Sequence, residues 1–104
     1  MNNQDFLIEM ENSINRTKRT LNKKKEEYSQ DDSDRLEQFY RAAAAQSINP
    51  CEALLGMATK HFTSIADMVK DPTEYSLKKW NEKIGDLRNY TILLDALVRD
   101  IGVK

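Results

Sequence analysis

Turn-forming residues are scarce in this chain, with three glycines and two prolines among 104 residues. An all-β fold needs a turn signal roughly every 8–12 residues, so the sequence excludes one. Between the few breaks, apolar residues recur at steps of three and four, the period of an α-helix buried along one side. The chain therefore reads as all-α: a four-helix bundle over about 5–27, 33–46, 50–69 and 76–101, or three core helices with an outlying first one, forming a single domain over 1–104.

Each helix has its own signature. In the first, Phe6, Met10, Ile14, Thr17 and Leu21 make a thin stripe on a mostly polar surface, which predicts a peripheral helix or one that needs a partner chain. An acidic turn over 29–34 follows, where Asp34 stands three residues before Glu37, the spacing of a capping box; Asp32 and Ser33 are alternative caps. The second helix carries Leu36, Phe39, Tyr40 and Ala43, and its run Ala42-Ala43-Ala44-Ala45 lets a neighbouring helix come close. The third start signal is the strongest. Asn49 can cap, Pro50 suits the first helical position and Glu52 completes a capping box. Leu54, Met57, Ala58, His61, Ile65 and Met68 then share one face. On the fourth helix, Trp80, Ile84, Leu87, Thr91, Leu94, Val98 and Ile101 alternate steps of four and three, which predicts a packing seam, and Gly102 supplies the stop.

Composition narrows the classes of partner. Hydrophobic residues at 39% and charged residues at 32% belong to a globular protein. A net charge of -1 predicts no global attraction to nucleic acid or acidic membranes. The basic run Arg16, Lys18, Arg19, Lys23, Lys24, Lys25 is followed at once by Glu26, Glu27, Asp31, Asp32 and Asp34, so it reads as a solvated helix face and argues against nucleic acid as a partner. One cysteine, Cys51, excludes an intrachain disulfide and fits a reducing cytoplasm. No apolar run reaches the roughly 18–20 residues of a membrane span, and the amino terminus lacks the pattern of a secretory signal. A cytoplasmic protein without membrane contact is expected.

Candidate chemistry gathers on the last two helices. Glu82, Asp86, Asn89, Tyr90, Leu93 and Leu97 form a second stripe on the fourth helix, mixing acids, an amide, a phenol and leucines. Its leucines ask for cover, and with the thin first helix they predict a homo-oligomer. Glu82 and Asp86 are four apart, so both carboxylates can share a divalent cation or order a polar ligand. The simpler alternative is surface pairing, Glu82 with Lys78, Lys79 or Lys83, and Asp86 with Lys83 or Asn89. His61 sits mid-face on the third helix where the pattern asks for leucine, with Lys60 beside it about 100° round the helix. A lone histidine there is more often a satisfied core residue than a ligand or base. The lack of a second histidine, with Cys51 ten residues upstream, argues against a His/Cys zinc site, and the sequence holds neither a phosphate-cradling glycine loop nor a nucleophile elbow.

Taken in order, Lys25-Glu26-Glu27-Tyr28, Leu36-Glu37-Gln38-Phe39, Ile48-Asn49-Pro50, Ala53-Leu54-Leu55-Gly56, Lys60-His61, Glu82-Lys83-Ile84-Gly85-Asp86 and Asn89-Tyr90 resemble the small phage and prophage proteins of the nucleotide-modification-associated helical type. These in turn look like pared-down relatives of the all-α, MazG-type nucleoside triphosphate pyrophosphohydrolases. The resemblance covers about residues 23–100. It implies a nucleotide-related ligand between helices, with Tyr28, Phe39, Lys60, His61, Asn89 and Tyr90 at matching positions and Glu82 and Asp86 as the magnesium pair if a metal is used. MazG-type enzymes hold magnesium with two pairs of carboxylates spaced by three. Here only one pair exists and its spacing is four, so the departure favours binding without catalysis and no resident cofactor.

Three functions follow as expectations. The first is a non-catalytic binder of a nucleotide or nucleotide-derived signal, which in a phage setting would act as an anti-defence sponge. Arg88 joins the candidate ligand residues as a cation for phosphate, though it lies off the second stripe. The second is a magnesium-dependent nucleotide pyrophosphohydrolase using Glu82 and Asp86. The third is a small protein-binding inhibitor of a host protein.

Overall fold

The computed structural model describes residues 1–28 and 35–104, for residues 24–28 the backbone alone. Among the described residues there are four α-helices and no strands: α1 (Asn3–Tyr28), α2 (Glu37–Gln46), α3 (Pro50–Met68) and α4 (Leu77–Asp100), with a 3-10 turn over Pro72–Glu74 between the last two. The all-helical class expected from the punctuation is the one observed. No described helix is long and apolar enough to cross a membrane.

The capping signals act as the sequence implies. The Asn49 side chain accepts from the Glu52 backbone N–H at 3.0 Å, and Glu52 closes the box on the Asn49 backbone. Ser76 caps α4 by accepting from the Lys79 N–H. At the other end, Gly102 takes φ +94 while its N–H and that of Val103 reach back to Arg99 and Val98. That double return satisfies carbonyls the helix leaves open, and glycine adopts the left-handed backbone without a Cβ penalty. α2 ends by the same device on a different residue. Ser47 sits at φ 57, and the N–H groups of Ser47 and Ile48 return to Ala44 and Ala43.

The start of α2 differs from the expected 33–46. Arg35 and Leu36 form a turn and the helix begins at Glu37, behind a Leu36 whose side chain cannot cap. Leu36 instead packs, half-buried, against the core. Asp32, Ser33 and Asp34, the caps the sequence offered, lie outside the described residues.

The chain divides into two compact units, 1–35 and 36–104. In the first, Asn2 caps α1 through the Asp5 N–H, Arg16 bridges to Glu9 at 2.8 Å and Thr17 donates to the Ser13 carbonyl. Phe6, Met10 and Ile14 of the expected stripe are exposed, whereas Thr17 is buried.

In the second unit α3 packs on both α2 and α4. The core is Phe39, Leu54 and Leu97, one from each helix, all at 1% exposure or less, with Leu36, Tyr40, Cys51, Met57, Tyr90, Leu93 and Leu94 against it. Ala43 on α2 and Ala53 and Ala58 on α3 are the buried small residues, and of the four-alanine run only Ala43 is enclosed. Tyr40 ties α2 to the end of α4 by donating to Asp100 Oδ2 at 2.7 Å.

α4 buries a different face from the expected seam. Ile84, Thr91 and Ile101 are exposed, while Asn89 and Leu97 are enclosed. The second stripe therefore faces the protein's own core. Both faces carry enough apolar residues to satisfy a 3.6-residue pattern, and α3 takes the one holding Leu93 and Leu97. The cover those leucines ask for comes from within the chain, which removes them as a reason for self-association.

Candidate functional site

α3 and α4 run antiparallel across the short Val69–Ser76 connection, so residues equally far from its middle come opposite one another. His61 stands twelve residues before Thr73 and Asp86 thirteen after it. Both lie on inner faces, and they meet, with His61 Nδ1 3.5 Å from Asp86 Oδ2. Their side chains are 13% and 25% exposed, so the pair is shielded more than a surface ion pair is. One turn along α4, the Tyr90 ring lies 5.3 Å from the imidazole, tilted by 32°. This settles the position of His61: it belongs to the α3–α4 interface, joined to an acid and a phenol.

Asn89 completes the group. It is 2% exposed, and neither its Nδ2 nor its Oδ1 has a hydrogen-bond partner among the described residues. A buried amide left without partners costs about 1–3 kcal/mol for each unmet group. The spacing of Asp86, Asn89 and Tyr90, three and four apart, puts all three on one side of α4.

The other expected ligand residues are scattered. Phe39 is wholly enclosed in the core with Leu54 and Leu97. Lys60 is exposed on α3, one residue before His61, and Arg88 is half-buried on α4. Tyr28 closes α1, and its side chain lies outside the described residues. Glu82 is exposed on α4, one turn before Asp86. Asp86 turns to His61 rather than to Lys83 or Asn89, a pairing across helices that neither the shared-cation reading nor the surface-pairing reading contained. Counting outward from the Asp71-Pro72-Thr73 break on both helices would have found it. Among the described residues no group of three or more His, Cys, Asp or Glu side chains is placed to hold a metal ion.

No known protein family, no curated protein and no solved structure matches the chain.

Proposed function

We propose that the α3–α4 interface around Asn89 binds a nucleotide or nucleotide-derived signalling molecule and holds it without changing it. The observation that carries this reading is the buried Asn89 amide with no partner for its donor or its acceptor. A nucleobase edge presents a donor and an acceptor side by side, the complement an asparagine amide recognises. Tyr90 offers a ring face for stacking, and exposed Lys60 offers a cation to phosphate. The resemblance to phage nucleotide-associated helical proteins supplies the ligand class, and in a phage host the same binding would make the protein a sponge for a defence messenger.

The engagement of Asp86 with His61 supports binding over hydrolysis. Metal-assisted hydrolysis needs several oxygens to fix the ion and its attacking water, and here one of the two candidate carboxylates already faces an imidazole. Because Asn89 is enclosed, ligand entry requires the interface to open, and the apparent affinity falls by the fraction of time it is open.

The test is thermal unfolding against mono-, tri-, cyclic and dinucleotides, with and without magnesium, followed by chromatography of each ligand. A ligand at a hundred times its dissociation constant adds about 2.7 kcal/mol of stability. The reading expects a shift with intact ligand that disappears in Asn89→Leu. Breakdown products would make the protein an enzyme instead, and no shift with any nucleotide would end the nucleotide reading.

A further inference from the structure

The outer side of α3 carries a second periodic stripe. Leu55, Thr59, Phe62, Ala66 and Val69 follow one another at four, three, four and three residues. That is the 3.5-residue repeat of a helix that pairs along its length with another helix. At 100° per residue the five side chains fall within about 80° of each other, centred about 100° from the inner face that holds Leu54 and His61. All five are exposed, Leu55 and Phe62 at 63% and Val69 at 57%. α3 needs only one apolar face to pack on its neighbours in the chain, and Leu54, Ala58 and Met68 already provide it.

Charge identifies what the stripe fits. The charged residues nearest to it are Glu52 at one end and Lys70 just past the other, where Lys70 also lies 3.7 Å from Asp67 of its own chain with both side chains exposed. They are five helical turns apart, so both flank the stripe on the same side. Lys60 and Asp67 point well away from it. In a parallel pairing with a second copy the two-fold axis runs along the helices and puts the partner's Glu52 and Lys70 on the opposite flank, so neither end gains a charge pair. An antiparallel pairing with its two-fold axis at Phe62 brings Leu55 opposite Val69, Phe62 opposite Phe62, and Glu52 within a turn of Lys70. The axis maps each flank onto itself, so both ends of the seam gain an opposite-charge pair. We infer that the Leu55–Val69 face of α3 is the interface of an antiparallel, two-fold homodimer. This rests on a surface separate from the Asn89 site and stands or falls apart from it.

Sedimentation equilibrium of the full chain over roughly 10–500 µM, the range in which micromolar association shows, should reveal a monomer–dimer equilibrium. Phe62→Glu should be monomeric throughout and keep its far-ultraviolet helix signal, since Phe62 is exposed. Lys70→Glu should weaken the dimer roughly threefold to thirtyfold, because symmetry replaces two ion pairs by two repulsions. Adding Glu52→Lys should restore it. In a Cys51→Ser background, Phe62→Cys should oxidise to a disulfide-linked dimer, since the axis brings the two copies of that position together. A wild-type chain that stays monomeric over the whole range overturns the inference. So does a dimer that survives Phe62→Glu.

Discussion

The two ends of the α3–α4 interface are built from the same pair of helices and differ in what they enclose. At the end near the amino terminus of α3, Leu54 and Leu97 meet Phe39 in a cluster with no polar side chain fully buried in it. Nearer the connecting turn, the facing residues are His61, Asp86, Asn89 and Tyr90, and one amide is buried without a partner. Close-packed apolar contact gives the first end its stability. The second gives up some of that stability to hold polar groups in place. The contrast locates the candidate site: a helix pair already held at one end can carry an energetic deficit at the other.

The largest effect should come from emptying the apolar end. Phe39→Ala removes the most enclosed aromatic side chain and is expected to cost about 3–5 kcal/mol, read as a lowered denaturant midpoint, or as failure to fold. A loss below about 1 kcal/mol, far under the usual cost of such a cavity, would mean that this end is not what holds the helices together. Next is Asn89→Leu, which replaces an unmet amide by an apolar side chain of similar size. It should stabilise the protein by about 1–3 kcal/mol while removing nucleotide binding. A destabilised variant would show that the amide is satisfied, for instance by buried water, and the contrast between the ends would collapse. Asp86→Asn should cost on the order of 1 kcal/mol, since the pair with His61 is shielded only in part and the amide oxygen can still accept; chemical denaturation measures it. The smallest effect is a control outside both ends. Ser47→Gly relieves a left-handed serine at the end of α2 and should gain roughly 0.5–1 kcal/mol after the extra freedom of the unfolded chain is counted, with ligand response unchanged.

Much of this architecture is legible in the sequence wherever a local signal decides it. The Asn49–Glu52 capping box and the Gly102 stop each depend on residues within a few positions, and each forms as expected. The inner face of α3, with His61 at its middle, follows from one clear period. The start of α2 is less legible, because its cap position is taken by Leu36, which carries no capping group and packs against the core. α4 is misread for a different reason: two apolar faces compete, and only the partner helix decides between them. The candidate site shares that limit. Asp86, Asn89 and Tyr90 can be grouped by spacing alone, but the His61–Asp86 contact exists only once α3 and α4 fold back on each other. Phe39 resembles a ligand residue by its place in a motif, yet its surroundings make it core.

Near the turn, the indole of Trp80 donates to the Pro72 carbonyl at 2.9 Å, with the Tyr75 ring edge-on to it at 6.3 Å. It is the chain's one tryptophan, so emission excited at long wavelength reports this connection. α1 contributes 26 helical residues to the circular dichroism and no indole to the fluorescence. Followed together through one melt, the two spectra tell whether both compact units lose structure in a single transition or in succession.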